Sequence, residues 1–113
     1  MRTLLEPSLP FFKGNLHMHT TLSDGRLSPD EALSRYQARG YDFVALTDHW
    51  QPSAYGRIKG MTVLSGVELH IEADGDEVAH IVGVGFDPEM LTLPVERKET
   101  QSLIDAIRAA GGI

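Results

Sequence analysis

The chain of 113 residues contains no cysteine. It therefore has no disulfide framework and no thiolate metal site, and any metal it holds must be met by nitrogen and oxygen donors. It has no lysine- or arginine-rich run: ten basic side chains stand against sixteen acidic ones, a net charge of −6. Sequence-independent binding to DNA or RNA draws on a basic face that displaces counterions from phosphates, and this composition argues against it. Long apolar runs are missing as well. The longest clean ones, residues 43–46 and 81–86, fall far short of the roughly 18 residues of a spanning helix. Arg2, Glu6 and two prolines interrupt what would have to be the apolar stretch of a signal peptide. A cytoplasmic protein with no membrane partner is the expectation.

What is present suits one domain over residues 1–113 with a modest core, too short for a complete large barrel. Residues 13–20, KGNLHMHT, read as a strand. Ser28-Pro29-Asp30-Glu31 starts a helix, with Ser28 as cap, Pro29 in the first turn and Glu31 completing a capping box. Ala32, Leu33 and Tyr36 form its apolar stripe and Gly40 ends it. Residues 42–47 hold Phe43-Val44-Ala45-Leu46 without alternation, the pattern of a strand buried on both faces in a parallel sheet, so a β-α-β unit results. Residues 51–60 are polar and rich in turn formers. Residues 61–69 read as a third strand, Asp74-Gly75 as a hairpin turn and residues 78–86 as the returning strand. Pro94 opens a second helix carrying Leu103, Ile104, Ile107 and Ala110 on one stripe, with the acidic stretch from Glu96 to Glu99 favoured by its dipole and Gly111-Gly112 at its end. Ile113 has the character of a further buried strand's first residue, so the sequence reads as cut off within its fold.

Five histidines stand at positions 17, 19, 49, 70 and 80, four of them in or at the end of an expected strand, where α/β folds gather their chemistry. His17 and His19 are two apart, so on a strand both imidazoles leave the same face and reach one ion. Asp24 follows in a Ser-Asp-Gly turn, and Thr47-Asp48-His49 closes the second strand. Glu68 sits in an otherwise apolar strand, where an unpaired carboxylate is costly. With histidines converging from neighbouring strand ends, metal binding is the economical reading. Asp48 suits the orientation of a ligand or the capping of a turn. His70 faces the same way as Glu68 and reads as a residue supporting the ligands or as an exposed one; Trp50 and Tyr55 read as packing residues in preference to lining the site mouth.

In order and spacing LHMHTTLSDG, SPDEALSRYQARGYDFVALTDH, VLSGVELH and HIVGVGF resemble the first half of the PHP (polymerase and histidinol phosphatase) domain, over residues 13–113. The resemblance implies an α/β fold, the N-terminal part of a distorted (β/α)7 barrel with mainly parallel strands and a β-hairpin. It also implies a trinuclear centre of manganese, zinc or iron at the strand ends. By motif, His17 and His19 would hold one ion, Glu68 would bridge to a second that also takes His80, and Asp24 with His49 would hold a third. His70 matches no ligand position. The implied activity is hydrolysis of phosphate esters by metal-activated water, on a phosphorylated small molecule or nucleotide. A nuclease or polymerase-associated domain is less favoured by the −6 charge. The family's later His-Pro and Asp-x-His motifs are missing, so the isolated chain is expected to be a weak or inactive enzyme, or a non-catalytic module, with an open sheet edge that invites self-association. Because His80 must share a metal with Glu68, the hairpin needs a three-residue loop or an equivalent bulge; an unbulged two-residue turn pairs Leu69 with His80 and sends His80 to the wrong face.

Overall fold

The computed structural model describes residues 7–53, 56–94 and 96–113. Its elements are β1 (Gly14–Asn15), α1 (Pro29–Ala38), β2 (Phe43–Ala45), β3 (Gly56–Ile58), β4 (Met61–Leu64), β5 (Gly66–Ala73), β6 (Asp76–Val84) and α2 (Thr100–Ala109). They form a four-stranded sheet of order β1-β2-β4-β3 and a two-stranded ribbon of β5 and β6. The expectation of mainly parallel strands becomes a mixed α/β fold: β1-β2 and β2-β4 pair parallel, β3-β4 and β5-β6 antiparallel.

Helix α1 begins on the expected capping box. Ser28 Oγ accepts from the Glu31 amide, and Glu31 Oε2 accepts from the Ser28 amide, both at 3.2 Å. Ala32 and Leu33 are buried against Met18, Val44, Leu46, Met61 and Val63 as the first core. Val67, Leu69 and Ile71 of β5 form a second core with Phe86 and with Leu103, Ile107 and Ala110 around α2.

Four elements depart from the expected pattern, each for a local reason. The strand expected over residues 13–20 is a ladder only at Gly14–Asn15. Beyond it Met18 is held by Thr47, whose amide donates to Met18 O at 2.9 Å and whose Oγ1 accepts from the Met18 amide at 3.0 Å, a side-chain contact in place of a ladder rung. The strand expected over residues 61–69 breaks at Ser65, which turns to donate its hydroxyl to Phe86 O at 2.5 Å. A Cβ on Gly66 would lie 2.3 Å from Leu46 O, so only glycine fits beyond the break. The register survives it, with Val44 opposite Val63 before it and His49 bridged to Glu68 after it. Strand β3 was hidden in the polar stretch. Its turn onto β4 uses Lys59 and Gly60, both at positive φ, the backbone of a type I′ hairpin. Finally α2 starts at Thr100 rather than Pro94. The Glu72 amide donates to Arg97 O at 3.0 Å, which ties the turn at Arg97 and Lys98 to β5 ahead of the helix. The acidic residues Glu96 and Glu99 therefore precede the helix, whose first turn holds none.

The hairpin has the two-residue turn Asp74-Gly75 together with a bulge. Ala73 pairs with Asp76 and Glu72 with Glu77, then Ile71 pairs with Ala79 and His70 with His80. Val78 is the extra residue, and it restores His80 to the Glu68 face.

Asp48 fixes the loop above these strands. It is fully buried and accepts from the Thr20 amide at 2.6 Å, Thr20 Oγ1 at 2.8 Å and Ser23 Oγ at 2.7 Å. Replacing it strands two buried donors on Thr20 and the half-buried Ser23 hydroxyl, so Asp48→Ala is expected to lower the unfolding free energy by about 2–4 kcal/mol. Urea denaturation checks this; a loss within the error of a surface substitution would contradict it.

Candidate metal centre

Alternation along β5 divides its side chains: Val67, Leu69 and Ile71 enter the second core, and Glu68 and His70 take the other face. Four imidazoles from different parts of the chain meet the carboxylate of Glu68, whose side chain is 3% exposed. His17 Nε2 lies 3.1 Å from Oε2, and His19 Nε2 makes a close contact with the same oxygen. His49 Nε2 stands 3.7 Å from Oε2, and His80 Nδ1 lies 3.0 Å from Oε1. Asp24 reaches down from its loop to His19 Nδ1 at 2.7 Å and His49 Nε2 at 3.5 Å. Gly25 next to it permits the approach, since a Cβ there would sit 2.3 Å from His19 O.

All six residues read from the sequence as metal ligands are thus brought to one place. Donor atoms of His17, His19 and Glu68 lie within 4.8 Å of one another, and so do those of His19, Asp24 and His49. Their chemistry fits a divalent ion of the zinc, manganese or iron class, since mixed imidazole and carboxylate donors suit those ions better than calcium. His19 carries the sharpest sign of this. A neutral imidazole donates from one nitrogen only, yet both nitrogens of His19 face carboxylates, so one must offer a lone pair to a cation or carry a second proton. Among the described residues His49 Nδ1 is buried with no hydrogen-bond partner.

The surroundings set the charge of these groups. Burial pushes the Glu68 carboxyl up, but hydrogen bonds and attraction from His17 and His19 outweigh it and hold it below the usual range. Desolvation likewise opposes Asp24, and His19 and His49 prevail to lower it. The His80 imidazole is raised, first by its hydrogen bond to Glu77 at 2.9 Å, against desolvation, and then by Glu68.

Asp48 lies beneath the cluster and supports the loop that carries Asp24. His70 is engaged elsewhere, with Trp50 Nε1 at 3.1 Å and Glu72 Oε1 at 3.0 Å on its two nitrogens. Trp50 packs against the second core as expected; Tyr55 lies outside the described residues. Sequence reasoning missed Glu77, whose spacing of three from His80 was the only available signal, and Glu72 and Arg97, which meet across 25 residues at 3.4 Å. Among the described residues no helix is long and apolar enough to cross a membrane.

No protein-family model matches the chain, but individual proteins do. It is 39% identical over 80 residues to a 3',5'-nucleoside bisphosphate phosphatase of Chromobacterium violaceum, covering 66% of this chain and 28% of that protein. It is 36% identical over 95 residues to a 5'-3' exoribonuclease of Haemophilus influenzae, covering 76% of this chain and 34% of the relative. A structure of an amidohydrolase from Chromobacterium violaceum, with bound sulfate and no metal, superposes with a TM-score of 0.51 at 34% identity, over 68% of this chain and 28% of the other. The chain thus spans well under half the length of these relatives.

The Glu68 geometry predicts a pH dependence for the metal-free chain. A carboxyl held below its unfolded value, about 4.3, adds stability that is fully present above that value and is lost as pH falls through the folded one. Unfolding free energy should therefore fall more steeply between about pH 5 and 3 in the parent than in Glu68→Gln. Equal slopes in urea titrations would show that the carboxylate is not paired as described.

Proposed function

Because the chain belongs to the PHP (polymerase and histidinol phosphatase) family, we propose that it carries the metal-binding part of a phosphoesterase that hydrolyses phosphate esters of small molecules or nucleotides. The convergence of His17, His19, His49 and His80 on the buried Glu68, with Asp24 alongside, is the observation that carries this reading. These six residues are the proposed ligands: His17 and His19 with Glu68 for one ion, Asp24 and His49 for another, and His80 sharing Glu68 with a third. Divalent ions held there would acidify water and neutralise charge on phosphoryl oxygens. The protein's own contribution is to bring the donors together on a rigid frame. Asp48 holds the turn bearing Asp24, and the bulge at Val78 presents His80.

His17 and His80 have the most exposed imidazoles of the cluster, 52% and 44%, so they mark the side from which an ester enters. The net charge of −6 disfavours a long polyanion, whereas a small phosphate ester meets the ions before it meets the surrounding carboxylates. A phosphatase and an exoribonuclease among the relatives support a phosphate ester as the substrate. We further read the two sheets as one wall of a (β/α)7 barrel in a single partial domain. The parallel run β1-β2-β4 and its continuation through the His49–Glu68 bridge support this, as does the pairing of Ile113 with Val84 along β6.

The test is metal analysis of the purified chain with phosphate release from a nucleoside 3',5'-bisphosphate, a 5'-phosphorylated oligoribonucleotide and p-nitrophenyl phosphate. Bound zinc, manganese or iron is expected, with any turnover greater on the small esters. His17→Ala is expected to lower turnover by roughly a hundredfold, in the range seen when a reacting group is misplaced by about 1 Å. A chain that retains no divalent ion, or a turnover that survives His17→Ala, would sink the proposal.

A further inference from the structure

Trp50 and His70 are joined by contacts that the metal cluster does not use. Trp50 follows His49 and has a φ of 54°, a left-handed state that a bulky residue keeps only where its surroundings over-determine it. Its amide donates to Glu68 O at 2.9 Å. Its indole Nε1–H points at His70 Nδ1, 3.1 Å away, and the Arg97 guanidinium lies over its ring, 4.2 Å from the centroid.

His70 is buried, and its state follows from its neighbours. The indole N–H can only donate, so Nδ1 of His70 is the acceptor and the ring proton sits on Nε2. Nε2 then donates to Glu72 Oε1 at 3.0 Å. Arg97 Nη1, 3.2 Å from the same nitrogen, gives its proton to Glu72 at 3.4 Å instead. The contacts close into a ring of four: Trp50, His70, Glu72, Arg97 and back to the Trp50 face. Both nitrogens of His70 are committed within it, so His70 is not free to ligate, although its ring centroid is only 5.8 Å from that of His49.

His49 is the residue that lacks support. A metal-binding imidazole is ordinarily oriented by a hydrogen bond at its other ring nitrogen, which fixes both rotation and tautomer. Nδ1 of His49 is buried and has no such partner among the described residues. Its constraint comes from the backbone: the Glu68 amide donates to Asp48 O at 3.2 Å, and the Trp50 amide returns to Glu68 O. Both peptides beside His49 are thereby clamped to the strand that carries Glu68. The second clamp holds only while Trp50 keeps its left-handed turn, and the indole is what His70 and Arg97 grip.

We propose that His70 is a positioning residue for His49. Acting through the Trp50 indole, it fixes the left-handed peptide after His49 and so aims that imidazole at Asp24 and Glu68. This rests on the metal-centre reading above.

Trp50 is the chain's single tryptophan, so emission excited selectively at tryptophan reports on this ring of contacts. The experiment titrates the purified full chain, His70→Leu and His70→Asn with Zn2+ and Mn2+, following Trp50 emission and competition with a chromophoric chelator. Metal should change the parent's emission. His70→Leu, which removes the acceptor, should weaken metal binding by about 10- to 100-fold, the range found when a group supporting a metal-ligating histidine is lost. His70→Asn, which keeps an acceptor near the Nδ1 position, should stay close to the parent. If circular dichroism shows that His70→Leu does not fold, Trp50→Phe keeps an aromatic ring but lacks the indole N–H, and is read by the chelator in the same way. A folded variant that has lost the indole contact and yet binds metal like the parent overturns the positioning role while leaving the metal centre standing. A parent that binds neither ion overturns both.

Discussion

Glu68 brings a negative charge to a position nearly closed to water, and the remainder of the centre is arranged around that charge. The residue cannot turn away, because its neighbours Val67 and Leu69 are fully buried in the second core, which sets the face that Glu68 must take. An uncompensated carboxylate in such a place costs several kcal/mol. Compensation comes from four imidazoles, two from the segment after β1, one from the chain leaving β2 and one from β6. The carboxylate is thus also the point at which three separate stretches of the chain are tied together. This explains why the four-stranded sheet and the ribbon meet through an isolated His49–Glu68 bridge: the register carried by β2 and β4 has to extend beyond the break at Ser65 for His49 to arrive opposite its partner.

Asp48 and Glu68 are both buried acids, and the difference in their partners divides their roles. Asp48 is met by a backbone amide and two hydroxyls. Such donors have a proton to give and no reason to exchange it, so the carboxylate is committed to holding a loop. Glu68 is met only by imidazoles, which offer either a proton or a lone pair from the same atom. Adjacent residues therefore do unlike work. Asp48 fixes the loop over the site, and His49, next in sequence, enters the site itself.

The candidate ligands were legible because each is a chemical exception to its surroundings: a glutamate in an apolar strand, histidines at strand ends, an aspartate in a glycine turn. The capping box of α1 was equally plain, since Ser28, Pro29 and Glu31 act on one another over three residues. What could not be read depended on contacts far apart in the chain. The break at Ser65 comes from a hydroxyl bonded to Phe86, and the late start of α2 comes from the Glu72 amide holding Arg97. Neither leaves a trace in local propensity. The hairpin lies between these cases. Asp74-Gly75 announced the turn, but that Val78 is the residue bulged out was decided by pairing, and only the requirement that His80 share a face with Glu68 made a bulge expected at all.

The same geometry can satisfy its charges in two ways, and this bears on how the site would fill. Without a metal, imidazole protons lie between the rings and the carboxylates of Glu68 and Asp24, and those protons hold the donor atoms close together. A divalent ion needs the same nitrogens as lone pairs, so it must enter by displacing protons rather than by reorganising the chain. At His80 the proton is favoured by the hydrogen bond to Glu77 and by Glu68, against desolvation. The ring around Trp50 lies beside this exchange: His70 is held by Trp50 and Glu72 on its two nitrogens, and it approaches the cluster's partners through Nδ1, 3.6 Å from Glu77, which also holds His80. A frame built on contacts other than the ligand atoms keeps His49 aimed through the exchange of protons for metal. That persistence separates a preorganised centre from a group of histidines gathered only by the charge they neutralise.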